Sequence, residues 1–156
     1  MQTIPDNSKT HDFQKVADEL THFLADTYVL YLKTQNFHWN VTGMEFHSLH
    51  LMFEEQYKDL ADAVDLIAER IRALNSPAPA SFSQFLKLTS LKEENSVPTA
   101  KEMVKILLKD HETVIHHANT MLAKSQKAHD EGTTDLLIER IRVHEKTAWM
   151  LRSHLE

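Results

Sequence analysis

With only two glycines and four prolines among 156 residues, the chain has too few turn-formers for the repeated hairpins of a sandwich or barrel, or for the frequent loops of a parallel α/β fold. Long helices are what remain. The apolar positions agree: from residue 11 to about 40, Phe13, Val16, Ala17, Leu20, Phe23, Leu24, Thr27, Tyr31 and Leu32 recur at spacings of three and four. Thr42-Gly43 breaks this stripe. A second helix is expected from about Glu45 to Leu74 through Leu49, Phe53, Tyr57, Leu60, Val64, Ile67 and Ile71, stopped by Asn75-Ser76-Pro77. Thr99-Ala100-Lys101-Glu102 spells a capping box that opens a third helix, running through Met103, Ile106, Leu107, Val114 and Met121 to about Lys127. Gly132 interrupts, and a fourth helix from near Thr134 carries Leu137, Ile141, His144, Ala148 and Leu151.

The connection from Pro77 to Pro98 is long enough to carry the chain from one end of a bundle to the other, and Phe82, Phe85, Leu86 and Leu88 mark a short extra helix inside it. The expected fold is therefore all-α, a four-helix bundle with one long crossover. Residues 1–10 are polar and without helical period, so they read as a flexible tail ahead of a single domain over 11–156. No apolar run is long enough to cross a membrane, and the first residues lack the pattern of a secretory leader, so the expectation is a soluble, cytoplasmic protein.

The chain has no cysteine, so any metal must be held by nitrogen and oxygen. With 17 Lys and Arg against 23 Asp and Glu, the net charge of −6 gives no general attraction to nucleic acid or anionic membrane. Histidine is the compositional oddity, and the informative stretch holds His38, His50, Glu54, Asp65 and Glu69. Imidazole plus carboxylate suits ferrous iron, zinc, manganese or cobalt. At about 100° per residue, with His50 set at 0°, Glu54 falls near 40°, Asp65 near 60° and Glu69 near 100°. All four share one stripe, roughly 120° from the apolar stripe of the same helix. Ala61 and Ala68 leave that edge low enough for another helix to approach.

The rise of a helix then constrains the assembly, because His50 and Asp65 lie roughly 22 Å apart along the axis. One subunit cannot gather these ligands. His38 and His50 can meet across the Thr42-Gly43 turn, and a two-fold axis passing near Lys58 and Asp59 sets the histidine end of one chain against the Asp65/Glu69 end of its copy. Two identical sites follow. Competing motifs are incomplete: Glu19 to His22 is a Glu-x-x-His pair without the second one that a single-chain di-iron bundle requires. His111-Glu112 and His144-Glu145 lack the second histidine of a zincin helix, and the two glycines build no phosphate loop. His116, His117 and His144 are read as buried or inter-subunit partners.

The run Asn36-Phe37-His38-Trp39-Asn40-Val41-Thr42-Gly43, with Phe46, Leu49-His50, Phe53-Glu54-Glu55-Gln56-Tyr57, Asp65 and Ala68-Glu69-Arg70-Ile71, resembles the Dps family, the DNA-binding proteins from starved cells. The end of the chain, Trp149 to Leu155, looks like the last helix of the neutrophil-activating-protein branch. The resemblance implies a ferritin-like subunit in a hollow shell of twelve, with ferroxidase centres at two-fold interfaces. It implies iron ligation by His38, His50, Asp65 and Glu69, and a carboxylate for a second iron at Glu54. The implied reaction is oxidation of ferrous iron, preferably by hydrogen peroxide, with storage of ferric mineral. Trp39, beside a ligand, is placed to supply an electron, and acids at the start of the last helix, Asp135 and also Asp130, to line a pore.

Direct DNA binding is expected to be weak or absent, since the tail offers only Lys9 and Lys15, balanced by Asp6 and Asp12. The alternative is a shell that binds DNA or host cells with little iron chemistry. A third reading is a zinc- or manganese-binding helical protein without redox function.

Overall fold

A computed structural model describes residues 7–156, with side chains from Thr10 onward. Five helices follow in order: α1 (Asn7–Asn40), α2 (Phe46–Ala73), α3 (Phe82–Leu88), α4 (Ala100–Lys127) and α5 (Glu131–Ser153). The first two form one hairpin and the last two another; α1 packs on α4, α2 on α5, and the short α3 lies against α1. The described residues are thus all-helical, a four-helix bundle with the crossover between α2 and α4.

Helix α1 begins at Asn7, inside the stretch expected to be a tail. A polar first turn has no apolar stripe, so periodicity cannot detect it; residues 1–6 of that stretch lie outside the described residues. Further along, α1 buries Leu30 and Phe37 as well as the expected face, while Leu32 is exposed. The cause is its number of neighbours, since α2, α3 and α4 all rest on it and enlarge the buried arc.

The turns are made by few residues. Gly43, at φ 104°, takes a conformation closed to most L-residues and reverses the chain between α1 and α2. Asn75 ends α2 in the left-handed region. At the start of α4 the capping box is complete: Thr99 accepts from the Glu102 N–H and the Glu102 carboxylate accepts from the Thr99 N–H.

Gly132 does not interrupt the last hairpin. The left-handed residue there is His129, and α5 starts ahead of Gly132 with Asp130 as its N-cap. Gly132 answers a packing demand: a Cβ at this position would lie 2.7 Å from Arg70 Nη1. The Arg70 guanidinium crosses there to bond the Asp130 carboxylate at 2.5 Å and Thr133 Oγ1 at 3.0 Å, tying the end of α2 to the start of α5.

Candidate functional site

His38 lies in the last turn of α1 and His50 near the start of α2. The reversal at Gly43 folds these ends back on each other, and the two imidazoles stack with centroids 3.8 Å apart and planes 14° apart. Each ring is tied to the other residue's main chain. His38 Nδ1–H donates to the His50 carbonyl and His50 Nδ1–H to the His38 carbonyl, both at 2.7 Å. A carbonyl oxygen only accepts, so both Nδ1 atoms carry the proton and both Nε2 atoms keep a lone pair. That is the tautomer a metal ligand needs, and a backbone carbonyl on the far nitrogen is a common support for it. Tyr57 meets the His38 ring edge-on at 5.2 Å, and Phe46 lies over His50 at 5.1 Å.

Glu54 stands one turn beyond His50 and pairs with Lys58 at 3.2 Å. That ammonium holds the carboxyl below its usual range, and the charge His38 and His50 carry when protonated acts the same way. Asp65 and Glu69 occupy the far end of the stripe and are both exposed. Their carboxyls are close enough to share a hydrogen bond, and that bond together with the like charge raises Glu69 above its ordinary value. Crowded acids of this kind gain from an arriving cation.

The imidazole and acid clusters are separated by roughly 22 Å of helix. Among the described residues, no three His, Asp or Glu side chains converge as a metal site. One chain thus carries imidazoles at one end of α2 and carboxylates at the other. The outer face of α2 exposes Leu51 beside His50 and Leu66 between Asp65 and Glu69, at 42% and 51%. An antiparallel copy centred between Lys58 and Asp59 brings Leu51 opposite Leu66 in the same register that brings His50 opposite the Asp65/Glu69 end.

Trp39 follows His38 directly and is 64% exposed, so it is not a core residue. Asp135 is exposed on the first turns of α5. Asp130, expected beside it as a pore acid, is buried instead: it caps α5 through the Thr133 N–H at 3.1 Å and is neutralised by Arg70. The three histidines read as buried or inter-subunit partners differ in exposure within one chain. His144 is fully buried, but His116 is exposed and His117 half-buried.

The partner of His144 is His111, whose Nδ1 lies 2.8 Å from the Nδ1 of His144 in the sealed centre of the bundle. Burial drives both below the ordinary imidazole range, His111 to about 3, with Arg140 adding to the effect. The Nε2 atoms of both, both side-chain polar atoms of Gln56 and Nε of Arg140 are buried without a protein partner. A signal for the His111–His144 pair existed in the sequence. His111 falls one turn from Leu107 and Val114, and His144 one turn from Ile141 and Ala148, so both sit on core faces.

Residues 17–156 match the ferritin-like domain, which gives the class of helical protein this bundle belongs to. Within that class the chain belongs to the Dps family. It is 38% identical over 142 residues to DNA protection during starvation protein 2 of Bacillus anthracis, covering 91% of this chain and 97% of that protein. The crystal structure of the Dps protein of Vibrio cholerae O1, described as a member of a broad superfamily of ferritin-like diiron-carboxylate proteins, superposes with a TM-score of 0.91 at 36% identity, covering 94% of this chain and 92% of that one. The Dps protein of Bacillus brevis gives a TM-score of 0.91 at 33% identity over the full length of both chains.

Proposed function

We propose that the protein is a ferroxidase and iron store, oxidising ferrous iron at sites completed between two copies of the chain. The observation that carries this reading is the reciprocal anchoring of His38 and His50, which leaves an Nε2 lone pair on each of the two stacked imidazoles for a metal. Asp65 and Glu69 of a second copy supply hard oxygen donors that bind ferrous and ferric ions alike, and Glu54 is the carboxylate for a second iron. Zinc, manganese or cobalt can occupy the same donors without the redox step. Likeness to a Dps protein described within the diiron-carboxylate superfamily supports iron as the substrate.

In the proposed reaction two ferrous ions each give up one electron, and both electrons enter one hydrogen peroxide, whose O–O bond breaks to leave water-level oxygen. Delivering the pair together avoids the one-electron cleavage that releases hydroxyl radical. Ferric product then passes to a mineral held inside a closed assembly, twelve copies being the expected number. Where only one iron is bound, Trp39 is the nearby electron donor. Asp135 is the remaining candidate for drawing cations inward.

The Bacillus anthracis relative is named for DNA protection during starvation. For this chain we assign such protection to the removal of iron and peroxide, because a net charge of −6 per copy opposes phosphate binding. The test is stopped-flow oxidation of ferrous iron by peroxide. His38→Ala/His50→Ala is expected to slow the reaction by at least about a hundredfold while helix content and assembly size stay unchanged. An undiminished rate in an intact assembly overturns the assignment.

A further inference from the structure

The device that marks His38 and His50, a tied Nδ1 and a free Nε2, recurs on the opposite side of α1. His22 on α1 and His117 on α4 line one recess, of about 320 Å³, together with Glu19, Asp26, Leu88 and Ser90. His22 Nδ1–H donates to the Leu88 carbonyl at 3.0 Å, which leaves the lone pair on Nε2. His117 is held by a relay. The Asp26 carboxylate is buried and accepts from Thr89 Oγ1 at 2.7 Å, the Ser90 N–H at 2.7 Å and Ser90 Oγ at 2.9 Å. Ser90 has spent its hydroxyl proton on Asp26, so at its 3.3 Å contact with His117 Nδ1 it accepts. Asp26 Oδ2 stands behind at 3.5 Å from the same nitrogen. The Nε2 lone pair of His117 is therefore free as well. A carboxylate behind one imidazole and a backbone carbonyl behind another are the two supports most often found behind metal-ligating histidines.

We infer that His22 and His117 form a second divalent transition-metal site, separate from the α2 ligand stripe, with Glu19 as the third donor. Glu19 lies one turn before His22 and pairs through Oε1 with Lys124 at 2.6 Å. Among the described residues no three His, Asp or Glu side chains already converge as a metal site, so in this proposal the incoming ion draws the two imidazoles together across the shared recess and recruits Glu19 by displacing the Lys124 ammonium. Two imidazoles and one carboxylate, with the remaining positions open to water, suit zinc, cobalt or ferrous ion over calcium or magnesium. This gives the isolated Glu19-x-x-His22 motif a use: its second histidine comes from α4, and the ion lies in the groove between α1 and α4 instead of the bundle's centre.

Cobalt(II) titration of the full chain, followed by visible absorption and by bound metal after dialysis, tests the site. The variant His22→Gln/His117→Gln is expected to bind one cobalt ion fewer per chain, with peroxide-driven ferrous oxidation unchanged. Glu19→Gln, which leaves both imidazoles in place, is expected to weaken the same equivalent by about tenfold. Both histidines are solvent-accessible, and circular dichroism checks that the variants keep their helices. Unchanged cobalt stoichiometry in the double variant overturns the inference. Loss of ferrous oxidation in that variant overturns the separateness of the two sites.

Discussion

Asp130, Arg70 and Gly132 show how one atom's clearance decides a residue's role. The Arg70 guanidinium occupies the space a Cβ on residue 132 would take, and it neutralises a carboxylate that would otherwise be buried with its charge unpaired. Displacing a charge-assisted hydrogen bond of this kind costs about 1.5–3 kcal/mol, while replacing glycine by alanine within a helix gains about 1 kcal/mol. The loss wins. Gly132→Ala is expected to lower the unfolding free energy by about 1 kcal/mol net, measured by urea denaturation. A more stable variant would mean that the guanidinium finds an equally good position elsewhere. Residue type suggested a helix break at Gly132, and the family resemblance a pore acid at Asp130, because glycine and aspartate near a helix start serve several purposes. Only the arrival of Arg70 from α2 selects among them.

At the scale of elements, α4 and α5 meet through His111 and His144, which the fold keeps neutral by excluding water. The folded-state values lie below the ordinary imidazole value, so the unfolded chain binds more protons whenever the pH is under about 6.5. Stability is therefore fully present above that pH. It is lost as the pH falls from there toward about 3, the value for His111, at a rate approaching about 1.4 kcal/mol per pH unit for each histidine. The pair variant His111→Leu/His144→Leu is expected to flatten this part of the stability curve, as read from unfolding midpoints at a series of pH values. An unchanged slope would place the acid sensitivity in other groups. The four long helices were legible because each carries an apolar stripe at helical spacing. Their ends were less so: the first turn of α1 has no stripe, and α5 is capped by an aspartate that precedes an unhelical-looking glycine.

For the whole molecule, the outer face of α2 carries an imidazole and exposed Leu51 at one end, and two carboxylates and exposed Leu66 at the other, the leucines symmetric about the same midpoint. The function proposed above requires this face to be completed by its own reversed copy. Leu51→Lys/Leu66→Lys places like charges opposite each other in that register. It is expected to shift sedimentation from a large closed particle to small species and to remove peroxide-driven ferrous oxidation along with it. Helix content should stay near that of the unaltered chain, since both leucines lie outside its core. A variant that stays assembled would show that copies meet through another face.

By itself the sequence determined the all-helical class, the crossover, and the placement of His38, His50, Glu54, Asp65 and Glu69 on one side of the hairpin. Those properties follow from helical period and rise, which act along the chain. The tertiary structure decided which nitrogen of each imidazole is free, that His111 finds His144, that Asp130 is buried, and that His22 and His117 share a recess. These depend on which carbonyl, carboxylate or guanidinium arrives from a distant segment, and local spacing carries no record of that arrival.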